Sequence, residues 1–239
     1  MHILPIFSTI VTFVFTYAVF NRYRNKKGTY LLLWSFGLLL YGLGTLSEVV
    51  LGFAFNEWIL KLWYLCGAML TAAWLGQGSV HLLVRRRGVA TALTYVLAAV
   101  SALALVLIVL TPLTSAAASY NTAAAASEQY KEILVRSGLV TLLTILLNIY
   151  GTITLVGGAI YSAFLFWRKQ VLLDRMLGNI LIAAGALMPA MAGSFVKAGL
   201  LDWLYLSELL GAVLMYLGFV RATAGKPATS KAASPAATD

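Results

Sequence analysis

Charge is what this sequence most lacks. Only 10% of its 239 residues are Asp, Glu, Lys or Arg, whereas a soluble domain carries about a quarter. A globule in water must present polar groups over its surface. This chain, 61% hydrophobic with a mean hydropathy of +0.89, does not have enough of them. Cysteine is nearly absent as well. The one thiol, Cys66 in an apolar stretch, excludes an intrachain disulfide and a thiolate metal cluster, and reads as a small core side chain. Histidine occurs twice, as His2 and His81, which should lie at opposite membrane faces. The convergent ligands of a membrane metallohydrolase are therefore missing, and no metal site is assigned. No nucleophile elbow, phosphate loop or deaminase pattern occurs, so no catalytic residue is assigned and enzyme chemistry is poorly supported.

What the sequence does have is a succession of long apolar runs. They cover about residues 3–20, 29–53, 58–83, 89–111, 133–167, 177–197 and 203–220, and a helix needs roughly 20 residues to cross a bilayer. The runs are too long and too uniformly apolar for alternating barrel strands, and in hydrocarbon a span must satisfy its own backbone. The fold class predicted is all-α, a polytopic bundle of seven transmembrane helices. Residues 1–221 form a single membrane domain and 222–239 a flexible cytoplasmic tail. The fourth run stops at Thr111-Pro112, because proline has neither the donor nor the room to continue a helical turn. The connection 113–130, rich in Ala, Ser, Asn and Thr, reads as an external loop with room for a short surface helix. The fifth run exceeds the length of a span and should tilt or protrude on the side of Glu132 and Arg136.

The formal charge of +9 would suit a nucleic-acid binder, but its location assigns it to topology instead. With the N-terminus outside, one side collects Arg22, Arg24, Lys26, Lys27, Arg85, Arg86, Arg87, Arg168, Lys169, Arg175, Arg221, Lys226 and Lys231. The other side collects Lys61, Lys131, Arg136 and Lys197. Positive short connections are retained in the cytoplasm, which puts the C-terminus there. The localisation implied is multi-pass in the cytoplasmic membrane of a prokaryote. The partners implied are the lipid bilayer and a membrane or cytoplasmic protein, not nucleic acid.

Within the spans, Glu48 and Glu208 are the most informative side chains, since a carboxylate among apolar residues must be paired, hydrated or neutral. Both fall in the outer third, with Lys61, Tyr64, Lys197 and Tyr205 in reach of the same layer and Asn148 nearer mid-membrane. These residues predict either an outward-facing polar pocket for a cationic or hydrogen-bonding ligand or a proton, or fixed ion pairs of the two carboxylates with Lys61 and Lys197. Gln77 and His81, four apart near the cytoplasmic end of the third run, form a secondary candidate pair. Thr141, Thr144, Asn148 and Thr152 make a polar stripe suited to interhelical hydrogen bonds. Pro189 should free the Gly185 carbonyl and act as a hinge or a simple bend.

Segments one to three and five to seven enter the membrane in the same sense, with Gly67-Ala68 and Leu75-Gly76 echoed by Gly211-Ala212 and Leu217-Gly218. This suggests a 3+1+3 parallel repeat. The layout resembles the retinal-binding proteins in topology alone. Their pigment requires a lysine in the seventh helix; residues 203–220 contain none, so covalent retinal is disfavoured and the cofactor is unknown. The layout also resembles the sugar transporters built from two parallel three-helix repeats, and the seven-helix input regions of sensor kinases. The functions expected are a receptor-like, ligand-binding or sensory module, a small-solute or proton-coupled transporter, or an accessory subunit of a membrane complex.

Overall fold

The computed structural model describes residues 3–84, 86, 88–169, 173–197 and 201–224, without the side chains of 169, 190–197, 201, 202 and 224. Arg85, Arg87 and the tail from 225 onward, all used in the topology argument, lie outside the described residues. Among the described residues there are eight helices beside a short 3-10 turn at Ser115–Ser119: α1 (Ile3–Lys26), α2 (Thr29–Leu51), α3 (Glu57–Leu83), α4 (Val89–Leu110), α5 (Ala126–Ile133), α6 (Gly138–Lys169), α7 (Leu173–Lys197) and α8 (Leu201–Ala224). Six of them, α1, α2, α3, α4, α6 and α8, are long and apolar enough among the described residues to cross a bilayer. This is the architecture of a multi-pass membrane protein.

The helices outrun the apolar segments. α1 continues past residue 20 through Arg22, Arg24 and Lys26, because Arg and Lys are good helix formers and a change of solvent does not itself end a helix. It stops at Lys27, whose φ of 55° is left-handed, and Gly28 then leads directly into α2. The fifth run departs further from expectation. In place of one segment from 133, the chain makes the short helix α5 and restarts at Gly138. Backbone pairing explains the break: Thr114 N donates to Ile133 O at 2.9 Å and Val135 N to Pro112 O at 3.0 Å, which draws residues 133–135 out of helical geometry. Ser137 then opens α6 by accepting from the Val140 amide.

The spans close on themselves. α1, α2 and α3 pack in succession, as do α6, α7 and α8, and the two groups meet where α3 touches α6 and where α1 touches α8. α4 lies at the periphery against α3 and α6. We refer to the end bearing Arg22, Lys26, Arg86, Arg168 and Arg221 as the basic end, and to the end bearing the 111–137 connection as the loop end. Glycine permits the closest approaches: a Cβ on Gly44 would sit 2.8 Å from the Gly67 Cα, and one on Gly185 would sit 2.8 Å from the Gly211 carbonyl oxygen. Within α3, residues Tyr64–Leu70 widen into a π-helix. Cys66 O takes the Thr71 amide and also accepts from Thr71 Oγ1 at 2.7 Å, and Ala68 O accepts from Asn148 Nδ2 at 2.7 Å.

Gly151 tests this packing. A methyl there would overlap the Ala72 backbone across the α3–α6 contact, whereas Gly157 has nothing within 4 Å of the same position. Gly151→Ala is expected to lower stability by about 1–3 kcal/mol, and Gly157→Ala to leave the thermal unfolding midpoint in detergent unchanged or slightly raised.

Candidate functional site

Glu48 lies in the last turn of α2 at the loop end and is 8% exposed. Its Oε1 accepts from the Ala126 amide at 3.0 Å and from the Tyr205 hydroxyl at 2.9 Å. Ala126 opens α5, and Ala125 before it offers no side-chain cap. A carboxylate carried by α2 thus caps a helix from a distant part of the chain, where the first amides and the positive end of the helix dipole attract an anion. Trp63, on α3, faces the same carboxylate. Tyr120, in the connection outside the spans, completes the roof: burial pushes its hydroxyl up to about 12, and the nearby Glu48 carboxylate acts in the same direction. Its ring packs on Phe55 at 4.9 Å between centroids.

Glu208 sits about one turn below Tyr205 on α8. Tyr205 lies within electrostatic reach of both carboxylates, and Glu208 feels the charge of Glu48. The Tyr41 hydroxyl donates to the Glu208 backbone carbonyl at 2.9 Å, but among the described residues the Glu208 carboxylate has neither a hydrogen bond nor an ion pair. Two hydroxyls on α1 share this condition: Ser8, beside Tyr41, and Thr12, one turn further along, are 0% exposed and make no well-formed side-chain hydrogen bond among the described residues. Glu48 is therefore engaged as a latch on the roof. Glu208, below it, retains its capacity to hold a proton or a cation.

The structure separates the other sequence-predicted residues. Lys61 does not join Glu48. It is buried and donates to Glu57 Oε1 at 2.6 Å and to Val109 O at 3.0 Å, which ties α3 to the end of α4. The proposed Glu48–Lys61 ion pair is thus absent, because Glu57, one turn back on the same helix, is the nearer partner. Tyr64 and Asn148 form a second group between α3 and α6. Tyr64 OH lies 3.0 Å from Thr144 Oγ1, and the Arg136 guanidinium stacks 4.9 Å from the Tyr130 ring centroid. The Lys197 side chain lies outside the described residues. Near the basic end, Gln77 is fully buried and fully used: its amide nitrogen donates to Ala90 O and Thr94 Oγ1, and its oxygen accepts from Tyr150. His81 Nε2 is 2.8 Å from the same Thr94 hydroxyl. Pro189 packs against Gly211, about one turn from Glu208.

Sequence reasoning missed the capping of α5 by Glu48, because nothing in a linear pattern links residues 48 and 126. It also passed over Ser8 and Thr12, although two hydroxyls spaced by four in an apolar run were a legible signal. Removing the latch should loosen the roof. Glu48→Ala is expected to accelerate hydrogen exchange of the α5 amides by about tenfold, the equivalent of one lost cap, while Glu48→Gln, which keeps an acceptor oxygen, changes it less. Equal exchange in all three proteins would show that α5 is held by other contacts. Comparison of the chain with protein-family models, with curated proteins and with solved structures finds no match in any of the three.

Proposed function

We propose that the chain is a seven-span receptor-like membrane protein whose outward-facing polar pocket, centred on Glu208, receives a cationic ligand. α7, with 25 residues packed lengthwise on α8, supplies the seventh span, and the basic end faces the cytoplasm. The observation that carries the ligand reading is the half-buried Glu208 carboxylate, about one turn from Tyr205 and below the roof held by Glu48, with no cationic side chain paired to it among the described residues. An anion within an apolar span is costly until a proton or a cation reaches it. The aromatic rings of Trp63, Tyr120 and Tyr205 around the two carboxylates suit a ligand ammonium group. The roof covers the approach from the loop end, so ligand arrival and roof movement are coupled, and the basic surface provides the contact for a cytoplasmic protein partner.

A second reading, a small-solute transporter, rests on symmetry. Exchanging the group α1–α2–α3 with α6–α7–α8 maps the α3–α6 contact onto the α8–α1 contact, as a parallel duplication requires. The same exchange aligns the helix-contact glycines Gly37 and Gly44 of α2 with Gly178 and Gly185 of α7, at one spacing in both, and Gly67 with Gly211. Pro189 then supplies the hinge beside the pocket.

Thermal unfolding of purified protein against a panel of inorganic and organic monovalent cations tests the pocket. A ligand at a hundredfold excess over its Kd stabilises by about 2.7 kcal/mol, and this gain should vanish in Glu208→Gln but persist in Glu48→Gln. A panel in which no cation stabilises the wild type, or equal stabilisation of Glu208→Gln, would overturn the reading. Flux of the stabilising cation into proteoliposomes favours the transporter; binding without flux favours the receptor. Tags on the two chain ends should report opposite compartments, and an even number of spans would place them on the same side.

A further inference from the structure

We propose that Arg136 and Lys131 form a phosphate-binding site at the loop-end boundary of the membrane, assembled around the ring of Tyr130. The Arg136 guanidinium lies 4.9 Å from the Tyr130 ring centroid and 5.9 Å from that of Tyr64, and the Lys131 ammonium lies 6.0 Å from the Tyr130 centroid. Two cations therefore share one aromatic ring. Each gains modestly from the ring and loses through repulsion by the other, so the arrangement favours the arrival of an anion.

No side chain supplies that anion. The two ion pairs among the described residues are Lys61 with Glu57 and Arg221 with Asp174, and neither Arg136 nor Lys131 takes part in them. Glu128 and Glu132, the acidic residues of α5, pair with neither cation, and Glu48 is committed to the Ala126 amide and the Tyr205 hydroxyl. Lys131 is exposed. Arg136 makes one side-chain hydrogen bond among the described residues, a 3.5 Å contact from Nη1 to the Tyr64 hydroxyl, which itself lies 3.0 Å from Thr144 Oγ1. Its Nε is buried without a partner, whereas Nη2 is unpartnered and not buried. The guanidinium is thus held in place with one donor edge open.

Position supplies the chemistry of the anion. Arg136 stands two residues ahead of the α6 span, which starts at Gly138, and its neighbours Val135 and Leu139 are exposed apolar side chains of the kind that face lipid. Lipid phosphates lie at this level. Guanidinium meets phosphate oxygens with a planar fork, and a lysine ammonium adds a mobile point charge. A lipid headgroup and soluble phosphate present the same group to that edge. The rule that gathers Arg and Lys at the basic end gives no reason for these two at the other end, and a phosphate ligand does.

Thermal unfolding of the full-length protein in a non-ionic detergent tests the site with inorganic phosphate, against chloride at equal ionic strength, and with dioctanoylphosphatidylglycerol, against dioctanoylglycerol, which lacks the phosphate. At least one phosphate probe is expected to raise the midpoint above its control. Arg136→Gln should weaken the apparent affinity for that probe about tenfold, as for the loss of one charge-assisted hydrogen bond. Lys131→Gln, at an exposed position, should weaken it about fivefold, the value of one cation near a lipid surface, and decides the matter if Arg136→Gln does not fold. Arg22→Gln, at the basic end, should leave it unchanged. An effect of the phospholipid alone identifies the headgroup as the source, and an effect of inorganic phosphate as well identifies a site open to the soluble anion. Neither probe exceeding its control, or an affinity unchanged by either Arg136→Gln or Lys131→Gln, overturns the proposal.

Discussion

Hydrocarbon supplies no hydrogen bonds, and the rest of the molecule follows from that constraint. A backbone crossing it must pair its own amides and carbonyls, which makes every span a helix and leaves each departure from helix in need of a named partner. The π segment of α3 is one such departure, where Cys66 O accepts both the amide and the hydroxyl of Thr71 and Ala68 O accepts from Asn148. The break between α5 and α6 is another, with the backbone of 112–114 pairing the residues that left the helix. Gln77 obeys the same rule for a side chain, spending its whole amide on α4 and α6.

Against that background, the few polar groups without a hydrogen-bond partner among the described residues stand out. They are not scattered. The Ser8, Thr12 and Ser127 hydroxyls sit toward the loop end, where the half-buried Glu208 carboxylate also lacks a partner among the described residues, while the Trp34 indole nitrogen sits toward the basic end. Arg136, between the Tyr64 and Tyr130 rings, has an unpartnered Nε at the loop boundary.

Glycine sets the geometry of the helix contacts. Lipid gives no hydrophobic force between spans, so close contact must come from small residues that let backbones meet. Gly44 on Gly67 and Gly185 on Gly211 draw α2 to α3 and α7 to α8. The same device joins the two three-helix groups, where Gly76 and Gly151 bring α3 against α6.

Much of the fold was legible from the residues alone, because hydropathy and run length report directly on the solvent each segment faces. The apolar runs, the stop at Pro112, the presence of Glu48 and Glu208 within apolar runs, and the asymmetry of Arg and Lys all lie in the linear order. The linear order could not show that Glu48 caps α5 through the Ala126 amide, that Lys61 turns away to Glu57 and Val109, or that Tyr64 and Asn148 belong to a different group from Tyr205. Those outcomes depend on which faces of separate helices meet. Every span here is apolar nearly all round, so no amphipathic stripe marks the buried face, and the rotation of each helix was decided only when the glycines and the few polar side chains found their partners in three dimensions.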